Sequence, residues 1–119
     1  MIVGIPKEIK TDEYRVSLIL VGVEEMLKHG HTVLVEKGAG LGSGVYDQEY
    51  KRAGANLVDD PREIYDTAQL VMKVKEPLPE EYTFLREDQI VFTFFHFAAS
   101  KILTDAVLKA GGIAIAYET

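Results

Sequence analysis

The sequence contains no cysteine, which excludes a disulfide scaffold, a thiolate metal site and a thiol nucleophile. Basic charge is also scarce. Thirteen Lys and Arg against nineteen Asp and Glu leave a net charge of −6, so no positive field exists to attract a phosphate backbone or an anionic membrane. Nucleic acid and membrane are therefore not expected as partners. The chain enters strand-like sequence directly at Met1-Ile2-Val3-Gly4-Ile5, with no charged leader followed by an apolar segment and no apolar run long enough to span a bilayer. A soluble, cytoplasmic protein is expected. Whatever chemistry it performs rests on Arg, Lys, His, carboxylates or hydroxyls.

What is present is a regular alternation of strand and helix signals. At 119 residues and 47% hydrophobic content the chain suits one compact domain. Short apolar runs at 2–5, 32–35, 57–58, 70–74, 90–95 and 113–116 read as strands. Between them, Val23, Met26 and Leu27 share a helical face that Gly30 stops. Asp47 is placed to cap a short helix ending at Gly54. Asp60-Pro61 is a cap followed by a first-turn proline, and Pro79 opens another short element. A last helix should begin near Ser100, turn Ile102, Leu103, Ala106 and Val107 inward and end at Gly111-Gly112. This order, with strands apolar on both faces, predicts an α/β fold: a mostly parallel sheet with helices on both faces, a three-layer arrangement of Rossmann or flavodoxin type. Residues 113–119 read as a strand and the first residues of a loop, where another element ordinarily follows. The chain is thus expected to be part of a longer protein.

Ligands of open parallel sheets bind beyond the carboxyl ends of the strands. Three basic residues belong there by sequence: Arg15 after the first strand, Lys75 ending the run from Leu70, and His96 ending the run from Ile90. An Arg fork suits a carboxylate, a Lys bonds a carbonyl oxygen as a point charge, and His moves a proton near neutral pH. Together they describe a 2-oxo acid site, with all three polar ends in one cleft. Bland readings stay open for each. Arg15 lies near Glu8, Asp12 and Glu13, an ordinary setting for a surface ion pair. Lys75, beside Glu76 and Pro77, also reads as a solvated strand end, and His96, among Phe94, Phe95 and Phe97, also reads as a core histidine. Cations brought so close need relief, either from solvent or from acids such as Glu8 and Glu13.

Gly38-Ala39-Gly40-Leu41-Gly42-Ser43-Gly44 follows a strand, with Asp59 about twenty residues on, a spacing that approaches a dinucleotide fingerprint. Ser43 replaces its third glycine, and the next helix begins only near Asp47. The segment is read as a flexible turn over the pocket mouth, and no cofactor-binding residue is assigned. His29-Gly30-His31 is read as structural, because Gly30 is explained by the helix stop; no metal site is expected.

Gly4-Ile5-Pro6-Lys7-Glu8-Ile9-Lys10, Glu36-Lys37-Gly38-Ala39-Gly40-Leu41-Gly42-Ser43-Gly44, Val71-Met72-Lys73-Val74-Lys75-Glu76-Pro77-Leu78 and Ala114-Ile115-Ala116-Tyr117-Glu118-Thr119 resemble the amino-terminal domain of bacterial alanine dehydrogenases over essentially the whole chain. The resemblance implies interconversion of L-alanine with pyruvate and ammonia, with NAD as cofactor, in a hexamer of two-domain subunits. It implies Arg15 on the substrate carboxylate, Lys75 on the carboxylate or carbonyl oxygen, and His96 beside the reacting carbon as polariser or acid-base group. The nucleotide site and an acidic catalytic partner belong to the family's later domain, so the chain alone is expected to be inactive. Two departures stand out. Ser17-Leu18-Ile19-Leu20 replaces a hydroxyl residue and proline that open the first helix, which costs about 1 kcal/mol and shifts the helix start. Phe94 stands where an aromatic hydroxyl is common. The related domain of nicotinamide nucleotide transhydrogenase shares this architecture without needing His96, and a stand-alone binding or assembly module is the remaining alternative.

Overall fold

The structure is a computed structural model that describes residues 1–117. The loop expected at Glu118 and Thr119 lies outside the described residues. Ten main elements follow in the order β1 (Ile2–Ile5), α1 (Leu20–Lys28), β2 (Thr32–Glu36), α2 (Asp47–Ala53), β3 (Asn56–Val58), α3 (Pro61–Thr67), β4 (Leu70–Lys75), β5 (Ile90–Phe94), α4 (Lys101–Ala110) and β6 (Ile113–Ala116). Short 3₁₀ turns occupy Leu41–Ser43, Pro79–Phe84 and Phe97–Ala99. All the strands pair in parallel, in the order β3-β2-β1-β4-β5-β6. That is the doubly wound Rossmann order, and not the flavodoxin one.

The two faces of the sheet carry separate cores. Val3, Ile5, Val33 and Val35 pack under Val23 of α1 and Tyr50 of α2, while Val71 and Val91 pack under Ile64 of α3, Ala68 just after it and Leu103 of α4. Strand order reverses between β1 and β4, because β1 continues toward β2 and β4 toward β5 on the opposite side. A crevice opens there at the carboxyl edge.

Local signals explain most helix boundaries. The Asp60 carboxylate accepts from Arg62 N–H at 2.9 Å ahead of Pro61, and the Ser100 hydroxyl accepts from Leu103 N–H at 3.1 Å. Gly54 and Gly111 end their helices in the left-handed region. Two expectations need correction. Asp47 does not cap α2; it is the first helical residue and its carboxylate accepts from Gly38 N–H at 2.8 Å, while Glu49 accepts from Tyr46 N–H. Ile102 is 70% exposed, because it sits about 100° off the Leu103 and Val107 stripe that α4 turns to the sheet. Helix α1 starts only at Leu20, with Ile19 as an N-cap that offers no side-chain bond. Ser17, free of capping duty, donates its hydroxyl to Met72 C=O of β4 at 2.8 Å.

Helix α3 lies unusually close to β1. A Cβ on Gly4 meets Ile64 Cγ2 at 2.6 Å and Ala68 Cβ at 2.8 Å, so only glycine permits this crossing without displacement. Gly4→Ala is expected to lower unfolding stability by about 1–3 kcal/mol through overpacking, measured by urea titration. An unchanged midpoint would mean that α3 moves away freely.

Candidate functional site

Where β1 leaves the sheet at Pro6, the strand beside it runs on, and the backbone N–H groups at the end of β4 lose their neighbour. The Glu8 carboxylate, 8% exposed, takes that place: it accepts from Val74 N–H and Lys75 N–H, each at 3.0 Å. Lys73, 1% exposed, lies between Glu8 at 3.3 Å and Glu81 at 3.4 Å. Tyr65 donates its hydroxyl to Glu81 at 2.9 Å, and Leu78 N–H donates to the same carboxylate at 3.0 Å. Burial and the nearby Glu81 push the Tyr65 phenol well above its ordinary range, so it remains a neutral donor. One ammonium and two carboxylates are thus taken from water only because hydrogen bonds satisfy the excess negative charge.

The loop 6–19 crosses this edge and carries Arg15 into solvent. Arg15 pairs side-on with Glu13, through Nε at 3.0 Å and Nη2 at 2.9 Å, and its backbone N–H donates to the same carboxylate at 2.9 Å. Side-on pairing engages two of the five guanidinium N–H donors and leaves the end-on edge of the fork for a second carboxylate. The hydrogen bond from Arg15 holds the Glu13 carboxyl down at about 2, and the same bond raises the Arg15 value. Relief of the cationic cleft therefore comes from both expected sources, Glu13 and exposure.

Arg15 and Lys75 come together. They line one cleft of about 410 Å³, with Lys10 and the residues between Lys10 and Arg15 forming its wall. A second cleft of about 300 Å³ lies between Arg15 and the glycine turn, and a third of about 290 Å³ lies between Arg15, Val74, Phe94 and Tyr117. His96 does not line these clefts. It sits beyond the end of β5 in the left-handed region at φ +54°, a conformation that costs energy for a residue with a Cβ, and its ring stacks on Phe94 with centroids 6.2 Å apart. Phe94 is thus the wall shared between His96 and the Arg15 side of the edge. The hydroxyl missing at Phe94 has an aromatic neighbour in Tyr117, whose ring lies 4.7 Å from that of Phe94 and 4.1 Å from that of Phe92.

The glycine turn buttresses the Arg15 loop. Ser43 Oγ accepts from Val16 N–H at 3.1 Å and donates to Tyr14 C=O at 3.3 Å, and a Cβ on Gly42 meets that carbonyl oxygen at 2.3 Å. The turn is therefore tied down where the sequence suggested flexibility. His29 and His31 face different partners, Glu25 at 3.6 Å and the Met1 amine at 2.9 Å. Among the described residues no group of His, Asp and Glu is arranged to hold a metal, and no helix is long and apolar enough to cross a membrane.

Sequence reasoning missed Glu8, Lys73, Glu81 and Tyr65 as a unit, and Tyr117. The signal was Lys73 itself, a lysine in the middle of an otherwise apolar central strand, which demands a buried carboxylate.

Residues 4–119 match the family model described as alanine dehydrogenase/PNT, N-terminal domain. The alanine dehydrogenase of Bacillus subtilis is 52% identical over 119 residues, covering 100% of this chain and 31% of the relative. That of Mycobacterium tuberculosis H37Rv is 50% identical, with 100% and 32% covered. A solved L-alanine dehydrogenase superposes with a TM-score of 0.97 at 45% identity over 100% of this chain and 33% of that one. A transhydrogenase from Sinorhizobium meliloti superposes with a TM-score of 0.91 at 33% identity, over 98% and 34%. The chain spans about a third of the length of the curated relatives it matches.

The Arg15–Glu13 pair has a defined pH signature. A carboxyl lowered from 4.5 to about 2 contributes its full stabilisation above pH 4.5 and loses it as pH falls through about 2. Carboxyl-carbon NMR should show the Glu13 midpoint near 2, rising toward 4.5 in Arg15→Ala. A midpoint that stays low in the variant would assign the shift to another cause.

Proposed function

The chain belongs to the alanine dehydrogenase/PNT N-terminal domain family, and from that premise we propose that it is the substrate-binding domain of an oxidoreductase interconverting L-alanine with pyruvate and ammonia, NAD being the cofactor. The observation that carries this reading is the meeting of Arg15 and Lys75 in one open cleft beyond the strand reversal. Arg15 offers the end-on edge of its fork to the substrate carboxylate. Lys75 presents an ammonium to the carboxylate or the 2-oxo oxygen, where positive charge polarises the carbonyl and stabilises negative charge developing on oxygen. His96 is the acid-base group of the same edge; its position outside the cleft requires the ligand, or a movement about its left-handed backbone, to bring it to the reacting carbon.

The residues described do not fit a dinucleotide. A pyrophosphate cradle needs a glycine turn that opens directly into a helix with free N–H groups. Here Gly38 N–H is taken by Asp47, Val45 N–H by Gly40 C=O, and Gly42 is pressed against Tyr14. We therefore place the nucleotide on a domain outside residues 1–119 and assign this chain carboxylate binding, carbonyl polarisation and proton transfer only. The exposed apolar side chains of Ile102 and Leu108 on α4, and of Ile113 and Ile115 on β6, support further protein packing here, from such a domain or from another copy in a homo-oligomer. The transhydrogenase reading shares the fold, but it gives no reason for Arg15, Lys75 and His96 to gather at one edge.

Titrating the chain with pyruvate should shift the amide NMR signals of the 10–15 loop and of Lys75 to saturation, whereas NADH should not produce a saturating shift. Arg15→Ala is expected to weaken pyruvate binding by about tenfold or more, since a charge-assisted bond to a carboxylate contributes roughly 1.5–3 kcal/mol. No saturable response to pyruvate in the cleft would sink the dehydrogenase reading and leave the transhydrogenase or binding-module alternatives. In a protein that also carries the nucleotide domain, His96→Ala should lower turnover by about 10²–10⁴ with folding intact by circular dichroism. Unchanged turnover would reassign His96 as structural.

A further inference from the structure

Strand alternation alone does not deliver Lys75 to the cleft. Lys73 and Lys75 are two apart, and in an unbroken strand they share a face. Yet Lys73 is buried against Glu8 and Glu81, while Lys75 is half-buried and lines the cleft with Arg15. The difference arises in the β4–β5 ladder. Leu70, Val71 and Met72 pair with Ile90, Val91 and Phe92, but Lys75 then pairs with Phe94, so Lys73 and Val74 together stand opposite Thr93. This is a one-residue β-bulge, a feature that re-aims the side chains following it.

A bulge must satisfy the N–H groups it throws out of register. In a regular strand successive N–H groups point to opposite sides; here those of Val74 and Lys75 converge on the two oxygens of a single carboxylate, Glu8 Oε2 and Oε1, each at 3.0 Å. Glu8 comes from the loop by which β1 leaves the sheet, so the strand that abandons β4 supplies the group that replaces its pairing. Lys73 Nζ, 3.3 Å from Glu8 Oε1, supplies the positive charge that balances the carboxylate. Two donors at two oxygens plus a cation is a task for a carboxylate. A glutamine brings one acceptor and two donors, and its amide nitrogen would face a donor already there.

We propose that Glu8 is the positioning residue of Lys75: by clamping the bulge it fixes the backbone from which the Lys75 ammonium reaches the cleft shared with Arg15. The inference rests on the reading of that cleft as a 2-oxo acid site. Both Glu8 carboxylate oxygens are committed to the Val74 and Lys75 N–H groups, so its proposed effect on the ligand runs through Lys75, and the cycle below separates that effect from general stability.

The test is a double-mutant cycle on the chain, with pyruvate as the probe and NMR as the readout. Glu8→Gln should raise the pyruvate dissociation constant by about tenfold in the wild-type background and by less than about twofold in Lys75→Met, while lowering the thermal midpoint by the same amount in both. Equal weakening in the two backgrounds would overturn the proposal, since Glu8 would then act independently of Lys75. Should Glu8→Gln fail to fold because Lys73 is stranded, Glu8→Gln/Lys73→Met removes the buried ammonium and carries the same expectations against Lys73→Met alone. A ligand-free readout separates this inference from the functional reading. The Val74 and Lys75 amide signals should move upfield and exchange faster with solvent when Glu8 is replaced. If they stay in place the clamp does not exist, whereas failure of pyruvate to bind the unmodified chain refutes the 2-oxo acid site and leaves the clamp to be judged by those amides.

Discussion

A central parallel strand whose neighbour departs must find new partners for its backbone, and that constraint at the end of β4 organises the whole carboxyl edge. β1 leaves at Pro6 while β4 continues to Lys75, and no strand can follow β1 into the gap because the chain turns away toward α1 and β2. Water is one way to satisfy such groups. This chain uses Glu8, and a carboxylate taken out of water in turn requires a cation, which is Lys73. Lys73 draws in Glu81, and Glu81 draws in the Tyr65 hydroxyl from α3. A single unpaired strand end thereby links the first loop, the central strand, the 3₁₀ turn after β4 and a helix on the far face.

Magnitudes separate the two ionic systems of this edge. Breaking a buried pair by removing one partner costs about 3–5 kcal/mol, because an uncompensated charge remains in low dielectric. Arg15, by contrast, keeps its guanidinium largely in solvent, so its pair with the covered Glu13 carboxylate is screened and leaves less behind when broken. The Glu8–Lys73–Glu81 cluster is therefore structural in energy, and Arg15–Glu13 chiefly orients a fork whose end-on edge stays open to a second anionic partner. That division suits a binding cleft. The rigid part sets where Lys75 emerges, and Arg15 keeps its charge in solvent.

The elements whose cause is local were legible in the sequence. Asp60-Pro61, Ser100, Gly54 and Gly111 fix helix ends through bonds spanning a few residues, and the strands follow from short apolar runs. The presence of cations at the carboxyl edge was legible too, since parallel strands send their ends to one side. Contacts between distant segments were not. Glu8 and Lys73 lie 65 positions apart, and nothing near either residue announces the other. The bulge was hidden because it depends on register against β5, and the left-handed backbone at His96 because residues with a Cβ rarely adopt it. Ser17 shows a subtler limit: its hydroxyl bonds Met72 C=O of β4, 55 positions away, a contact that no neighbouring residue signals.

The strand order is that of sheets which hold dinucleotides at the same reversal, yet the chemistry placed there is different. In those sheets a tight glycine turn after the first strand brings a helix N-terminus and its free N–H groups to the crevice, and backbone dipoles recognise the anion. Here the loop 6–19 keeps α1 from beginning until Leu20, so the helix start is replaced at the crevice by side chains. The glycines lie after β2 instead, where Gly42 allows close approach to Tyr14 and Ser43 ties down the backbone on either side of Arg15. Recognition by Arg and Lys forks and point charges favours a small planar carboxylate with an adjacent oxygen over an extended pyrophosphate. The length of the first connection thus decides whether a helix N-terminus or side chains occupy the crevice of this architecture.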